Sequence, residues 1–137
     1  MTTPEELVQL AKEARTHAYV PYSHYSVGAA LLCKDGKIYQ GCNIENAAFG
    51  PTICGERTAF FKAVYDGERE FAAIAVAGGR EGEEVTGLFP PCGVCRQVMR
   101  EFCDLDFMLY MAKENGKFEA RTLGEMLPMS FSSGDMK

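Results

Sequence analysis

Two short stretches constrain this chain more than any other feature: Thr52-Ile53-Cys54-Gly55-Glu56-Arg57 and Pro90-Pro91-Cys92-Gly93-Val94-Cys95-Arg96. Each follows a proline-containing run and leads into helical periodicity, so Cys54, Cys92 and Cys95 fall at helix starts. Unpaired N–H groups and the positive end of the helix dipole favour thiolate over thiol there. Cys92 and Cys95 are one turn apart and point the same way. A fold that sets the two helix starts face to face therefore gathers three thiolates at one point. Zinc held by three protein ligands keeps its fourth tetrahedral position for water, which is the layout of a catalytic site rather than a structural one. Glu56 then stands beside the metal as a proton carrier. Taken alone, it would be an ordinary acidic residue in a helix's first turn.

The cysteine count has a rival explanation in disulfides. The chain opens Thr2-Thr3-Pro4-Glu5-Glu6, a helix start rather than a basic segment followed by an apolar run. No stretch is long and apolar enough to span a bilayer. The expectation is a cytoplasmic protein whose close-set cysteines serve metal binding or catalysis. Cys33 and Cys103 lie in or beside apolar stretches and read as small buried hydrophobes, while Cys42 lies near a candidate substrate loop. With 137 residues and 47% hydrophobic content, the chain suits one domain spanning 1–137. A formal charge of -5 argues against nucleic-acid polymers and anionic membranes as partners, but leaves room for a neutral nucleoside.

Periodicity orders the rest. Thr2 or Thr3 caps a first helix whose inner stripe is Leu7, Leu10, Ala11, Ala14 and Ala18, and which Pro21 ends. Residues 27–32 are apolar on both parities, as in a strand buried on both faces. Lys34-Asp35-Gly36-Lys37 signals a hairpin into a second strand over 38–42. Asn43-Ile44-Glu45-Asn46 opens a loop of roughly ten residues, a length that is often functional. A helix from near Cys54 stops before Gly67, and an interior strand covers 71–77. A polar surface loop over 80–87 precedes the second cysteine helix. A fourth strand is expected over 105–110, a short edge strand over 118–121, and a capping box at Thr122 and Glu125 before a brief last helix. The whole is an α/β structure with a mixed sheet, in which the two cysteine-bearing helices supply the crossovers.

Three thiolates overcompensate a zinc ion and blunt its power to acidify water. Arg57 and Arg96 follow the ligand turns and are candidates to offset that charge by hydrogen bonds to sulfur; Arg57 is preferred, and Arg96 reads as a surface helix residue. His17 and His24 lack metal-ligand spacing to another ligand. A closed structural zinc would need a fourth ligand from Cys42, Cys103 or a histidine.

The Cys-x-Glu and Pro-Cys-x-x-Cys pair resembles the zinc nucleobase deaminases, with Cys54 in place of a histidine. The chain looks most like the small homotetrameric cytidine deaminases. The likeness runs through 22–31, Asn43-Ile44-Glu45-Asn46-Ala47, Cys54-Gly55-Glu56-Arg57-Thr58-Ala59, Pro91-Cys92-Gly93-Val94-Cys95-Arg96-Gln97 and Leu127-Pro128 with Phe131. It implies a three-layer α/β/α fold with a five-stranded mixed sheet, one Zn²⁺ per subunit, and active sites near subunit interfaces. It also implies roles for further residues. Asn43 and Glu45 would hydrogen-bond the ribose 3'-hydroxyl, and Tyr25 would pack against the pyrimidine. The Gly55 N–H would meet the 2-oxo group, and the Cys92 carbonyl would meet the C4 amino group. Phe49 and Phe131 would reach neighbouring active sites. Gly55 replaces a usual alanine and Tyr25 a usual phenylalanine, so a slightly looser pocket is expected.

The implied reaction is hydrolytic deamination of cytidine and 2'-deoxycytidine, with Glu56 shuttling protons. The nearest rival resembles the blasticidin-S deaminases, against which Asn43-Ile44-Glu45-Asn46 argues. A rival of another class is a non-catalytic zinc module, which predicts a fourth protein ligand and no water on the metal. Editing of polynucleotides is disfavoured by the acidic chain and by the lack of a basic, aromatic-interleaved stretch.

Overall fold

The computed structural model describes residues 1–136; Lys137, the last residue of the expected 1–137 unit, lies outside the described residues. Helix α1 (Pro4–Ala14) precedes the hairpin of β1 (Tyr25–Cys33) and β2 (Ile38–Cys42). Helix α2 (Gly55–Tyr65), β3 (Phe71–Arg80), α3 (Gly93–Phe102), β4 (Met108–Ala112), β5 (Phe118–Thr122) and the short α4 (Leu123–Met126) follow. The five strands form one sheet in the order β2-β1-β3-β4-β5. Only β3 and β4 pair in parallel, and α3 makes that crossover; the remaining pairs are antiparallel. The expected α/β fold with a mixed sheet is the one the chain adopts.

Strand alternation divides the core into two layers. Val27, Ala29, Leu31, Ile74 and Val76 face one side, with Ala59, Phe60 and Ala63 of α2 and Cys95 and Met99 of α3. Ala30, Ala73, Ala75 and Ala77 face the other, with Leu7, Val8 and Ala11 of α1. This is why residues 27–32 are apolar on both parities. Both cysteine-bearing helices lie on the first side, so their starts share one end of one layer.

The largest departures from the expected boundaries, at the end of α1, the end of β3 and the start of β4, accompany long-range contacts. Helix α1 stops at Ala14 and passes through a 3-10 turn at Arg15–His17, well short of Pro21. Arg15 turns inward to donate to Ser26 O at 3.1 Å and Arg80 O at 2.9 Å, and Tyr19 N–H pairs with Asn43 O at 3.1 Å instead of continuing a helix. Ala18 thus leaves the inner stripe and Val8 joins it. Strand β3 runs on through Gly78 and Gly79, because β1 extends to pair Tyr25 with Arg80. Strand β4 begins three residues late: Leu105 O accepts from Gly124 N at 2.9 Å, and Phe107 N closes a turn on Asp104 O at 3.1 Å. The loop after β3 is polar as expected, except that Val85 is buried against the α1 layer.

Candidate active site

Cys54 and Cys92 are the N-cap residues of α2 and α3, both in extended backbone (φ -80° and -70°), and neither helix start has a side-chain cap. Their sulfurs therefore sit at the open, positive ends of two helices. Cys95, in the first turn of α3, completes the group. Sγ of Cys92 lies 3.7 Å from Cys54 Sγ and 3.4 Å from Cys95 Sγ, and all three fall within 4.8 Å of one another. A tetrahedron with metal–sulfur bonds of about 2.3 Å has sulfur–sulfur edges of about 3.8 Å. The trio has the size to hold a metal ion. Cys95 is buried, Cys54 half-buried and Cys92 exposed, so solvent reaches one side.

The electrostatics fit a cation at the trio's centre. A hydrogen bond from Cys95, helped by others from Arg57 and Cys92, brings the Cys54 thiol down to about 5 against the opposing effect of burial. The same bond to Cys54, with burial, pushes Cys95 up. Left to themselves the sulfurs share their protons, and three thiolates coexist at this spacing only around a positive ion. Glu56 is 1% exposed, and its Oε1 has no hydrogen-bond partner among the described residues. Burial, reinforced by the Cys54 charge, raises its carboxyl to about 7. Arg57 donates from Nη2 to Cys54 Sγ at 3.4 Å, while its buried Nε is unpartnered. An orphaned carboxyl oxygen beside three sulfurs is costly in an apolar layer and suits water on a metal held there, while the Arg57 guanidinium suits the negative charge of the sulfurs. Thr58 fixes the turn, its hydroxyl reaching Cys42 O at 3.0 Å and Cys54 O at 3.2 Å.

The substrate-side candidates lie around this end of the sheet. Asn43 Oδ1 accepts from Val27 N and Nδ2 donates to Tyr25 O, each at 2.9 Å, leaving one amide hydrogen uncommitted. Glu45 Oε1 accepts from Tyr22 N at 3.0 Å and Ser23 N at 3.1 Å, and Oε2 accepts from the Ser23 hydroxyl. The Ser23 bonds and the Tyr22 N–H hold the Glu45 carboxyl below its ordinary range. A cleft of about 300 Å³ lined by Tyr22, Ser23, Glu45, Asn46, Phe49 and Thr52 opens beside it. Gly55 is the first residue of α2, and a Cβ on it would lie 3.2 Å from Val27 O, so its contact with β1 is close. The Cys92 carbonyl already accepts the Arg96 N–H at 3.0 Å. Phe49 is 88% exposed and Phe131 58% exposed in the single chain.

Phe89 and Ser23 were given no role from the sequence, and Arg96 was given a different one. Phe89 packs its ring 5.6 Å from that of Tyr25, and a side chain on Gly78 would collide with it. The glycine pair inside β3 was the available signal for such a close approach. Ser23 and the Tyr22 N–H secure Glu45, a loop contact that no spacing rule announces. Arg96, read as a surface residue, is half-buried and donates to Pro91 O at 2.8 Å and Met126 O at 2.7 Å.

Residues 1–111 match the family model described as "Cytidine and deoxycytidylate deaminase zinc-binding region". The chain is 51% identical over 132 residues to a protein of Sporosarcina psychrophila named cytidine deaminase, covering 96% of this chain and 93% of that one. It is 48% identical over 130 residues to a cytidine deaminase of Halalkalibacterium halodurans, covering 95% of each. The crystal structure of a cytidine deaminase from Burkholderia pseudomallei superposes with a TM-score of 0.87 at 45% identity, over 95% of this chain and 100% of that one.

Proposed function

This chain belongs to the cytidine and deoxycytidylate deaminase family, and on that premise we propose that it hydrolyses cytidine and 2'-deoxycytidine to uridine and 2'-deoxyuridine with release of ammonia, using one Zn²⁺ per subunit. The observation that carries this reading is the buried Glu56 carboxyl, its Oε1 without a partner, beside three sulfurs at tetrahedral spacing.

Cys54, Cys92 and Cys95 hold the ion, and Arg57 lowers the surplus negative charge by donating to Cys54. Bound there, a zinc ion would supply the acidity that turns water into a nucleophile. Glu56 accepts the proton released and delivers it to N3 of the pyrimidine, then takes the remaining proton from the new C4 hydroxyl and passes it to the amine as the C4–N bond breaks and the carbonyl forms. The free N–H of Gly55 at the start of α2 suits the 2-oxo group. The uncommitted hydrogen of Asn43 and the remaining acceptor capacity of Glu45 Oε2 suit the 3'-hydroxyl. Tyr25, backed by Phe89, offers a ring face to the base.

The assembly is a homotetramer with active sites near subunit interfaces. Phe49 and Phe131 stand exposed as arms for neighbouring sites, and an apolar groove lined by Ile44, Ile53, Phe61 and Tyr65 gives another copy a surface to cover. The six free cysteines suit a cytoplasmic enzyme acting on a single nucleoside. Among the described residues no helix is long and apolar enough to cross a membrane.

Steady-state kinetics on cytidine, 2'-deoxycytidine, free cytosine and blasticidin S test the substrate. If the sugar is read by Asn43 and Glu45, kcat/KM for both nucleosides exceeds that for cytosine by at least about a hundredfold. Equal turnover of cytosine, or preference for blasticidin S, contradicts the assignment.

A further inference from the structure

We propose that Arg96 is a positioning residue for the metal-ligand turn, its guanidinium tying the backbone just before Cys92 to the end of α4. The proposal rests on the reading of Cys54, Cys92 and Cys95 as ligands, and adds what keeps two of them in place.

The ligand turn is weakly held by its own sequence. Pro90 and Pro91 carry no N–H, Cys92 has no side-chain cap, and of α3 only Cys95 and Met99 are buried. Pro91 is fully buried, so its carbonyl needs a partner there; Arg96 Nε supplies one at 2.8 Å. The other arm of the guanidinium, Nη1, donates at 2.7 Å to Met126 O, a carbonyl that the end of α4 leaves without a helical partner. Both bonds are charge-assisted, and a planar fork with fixed donors makes the two together in a way a lysine ammonium does not reproduce. Neighbouring side chains of α3 fasten the segment beyond: Gln97 Nε2 donates to Phe131 O at 2.8 Å and Arg100 Nε to Ser130 Oγ at 3.0 Å. Arg96 alone of the three also grips the residue preceding a ligand. Its loss frees Pro91, and with it Cys92, to move away from Cys54 and Cys95.

The test is the rate at which zinc-loaded protein surrenders its metal to a chromogenic chelator, read for wild type, Arg96→Ala, Arg96→Lys and Arg100→Ala. Arg100 is the control: one turn further along the same helix, it bonds Ser130 Oγ and Cys103 O but nothing before Cys92. Arg96→Ala should release zinc at least about tenfold faster than wild type and Arg100→Ala within about threefold of it, with Arg96→Lys between them. If Arg96→Ala does not fold, acceleration in Arg96→Lys alone supports the proposal, and a wild-type rate in Arg96→Lys overturns it. Equal acceleration in Arg96→Ala and Arg100→Ala also overturns it, because general loosening of the tail would then account for both. A wild-type protein that retains no zinc overturns the ligand assignment itself, a result visible before any variant is made.

Discussion

Glu56→Gln is expected to lower kcat by roughly a hundred- to ten-thousand-fold while leaving zinc content and fold at wild-type levels. The amide has nearly the carboxylate's shape and suits the same buried space, so the packing of that position is retained. It can neither take a proton from water nor return one to a leaving amine. On the proposed ligand set Glu56 is not needed to hold the metal, since the three sulfurs supply the protein ligands. Turnover with metal content on the same sample separates the roles: loss of activity with zinc retained supports a proton carrier. Loss of zinc would make Glu56 a ligand, and near-normal turnover would remove it from the chemistry.

Gly28→Ala should cost stability on the order of 3 kcal/mol, which for a chain of this size is a fall of roughly 10 °C in Tm at fixed protein and metal concentration. A Cβ at this position would lie 2.1 Å from Ala11 O and 2.6 Å from Arg15 N, both backbone atoms of the α1 segment. No side-chain rotation relieves such a contact, so the helix must lift from β1 and open the layer containing Leu7, Val8 and Ala11. Gly87→Ala, with open space around the new methyl, is the control and should change stability by less than about 0.5 kcal/mol. If thermal unfolding gives equal midpoints for the two variants, the close helix–strand approach is not a source of stability.

What could be read from the sequence was what is decided locally. Helix-start chemistry at Cys54 and Cys92, the hairpin turn that leads into β2 at Ile38–Cys42, the threonine cap of α1, which falls on Thr3, and the capping box at Thr122 with Glu125 each depend on residues a few positions apart. The misplaced boundaries depend on residues far apart in the chain. Arg15 ends α1 through partners at Ser26 and Arg80, and Leu105 is held out of β4 by Gly124. The same limit applies at the site. That Cys54 and Cys92 could share an ion followed from their local chemistry. That Arg96 secures Pro91 and Met126, or that Phe89 backs Tyr25, required the fold.

The central claim is a zinc ion on three sulfurs with one position open to solvent. X-ray absorption at the zinc edge of the substrate-free protein reads this directly. The account predicts three sulfur neighbours at about 2.3 Å and one oxygen at about 2.0 Å. Four sulfur neighbours, or none, would contradict it.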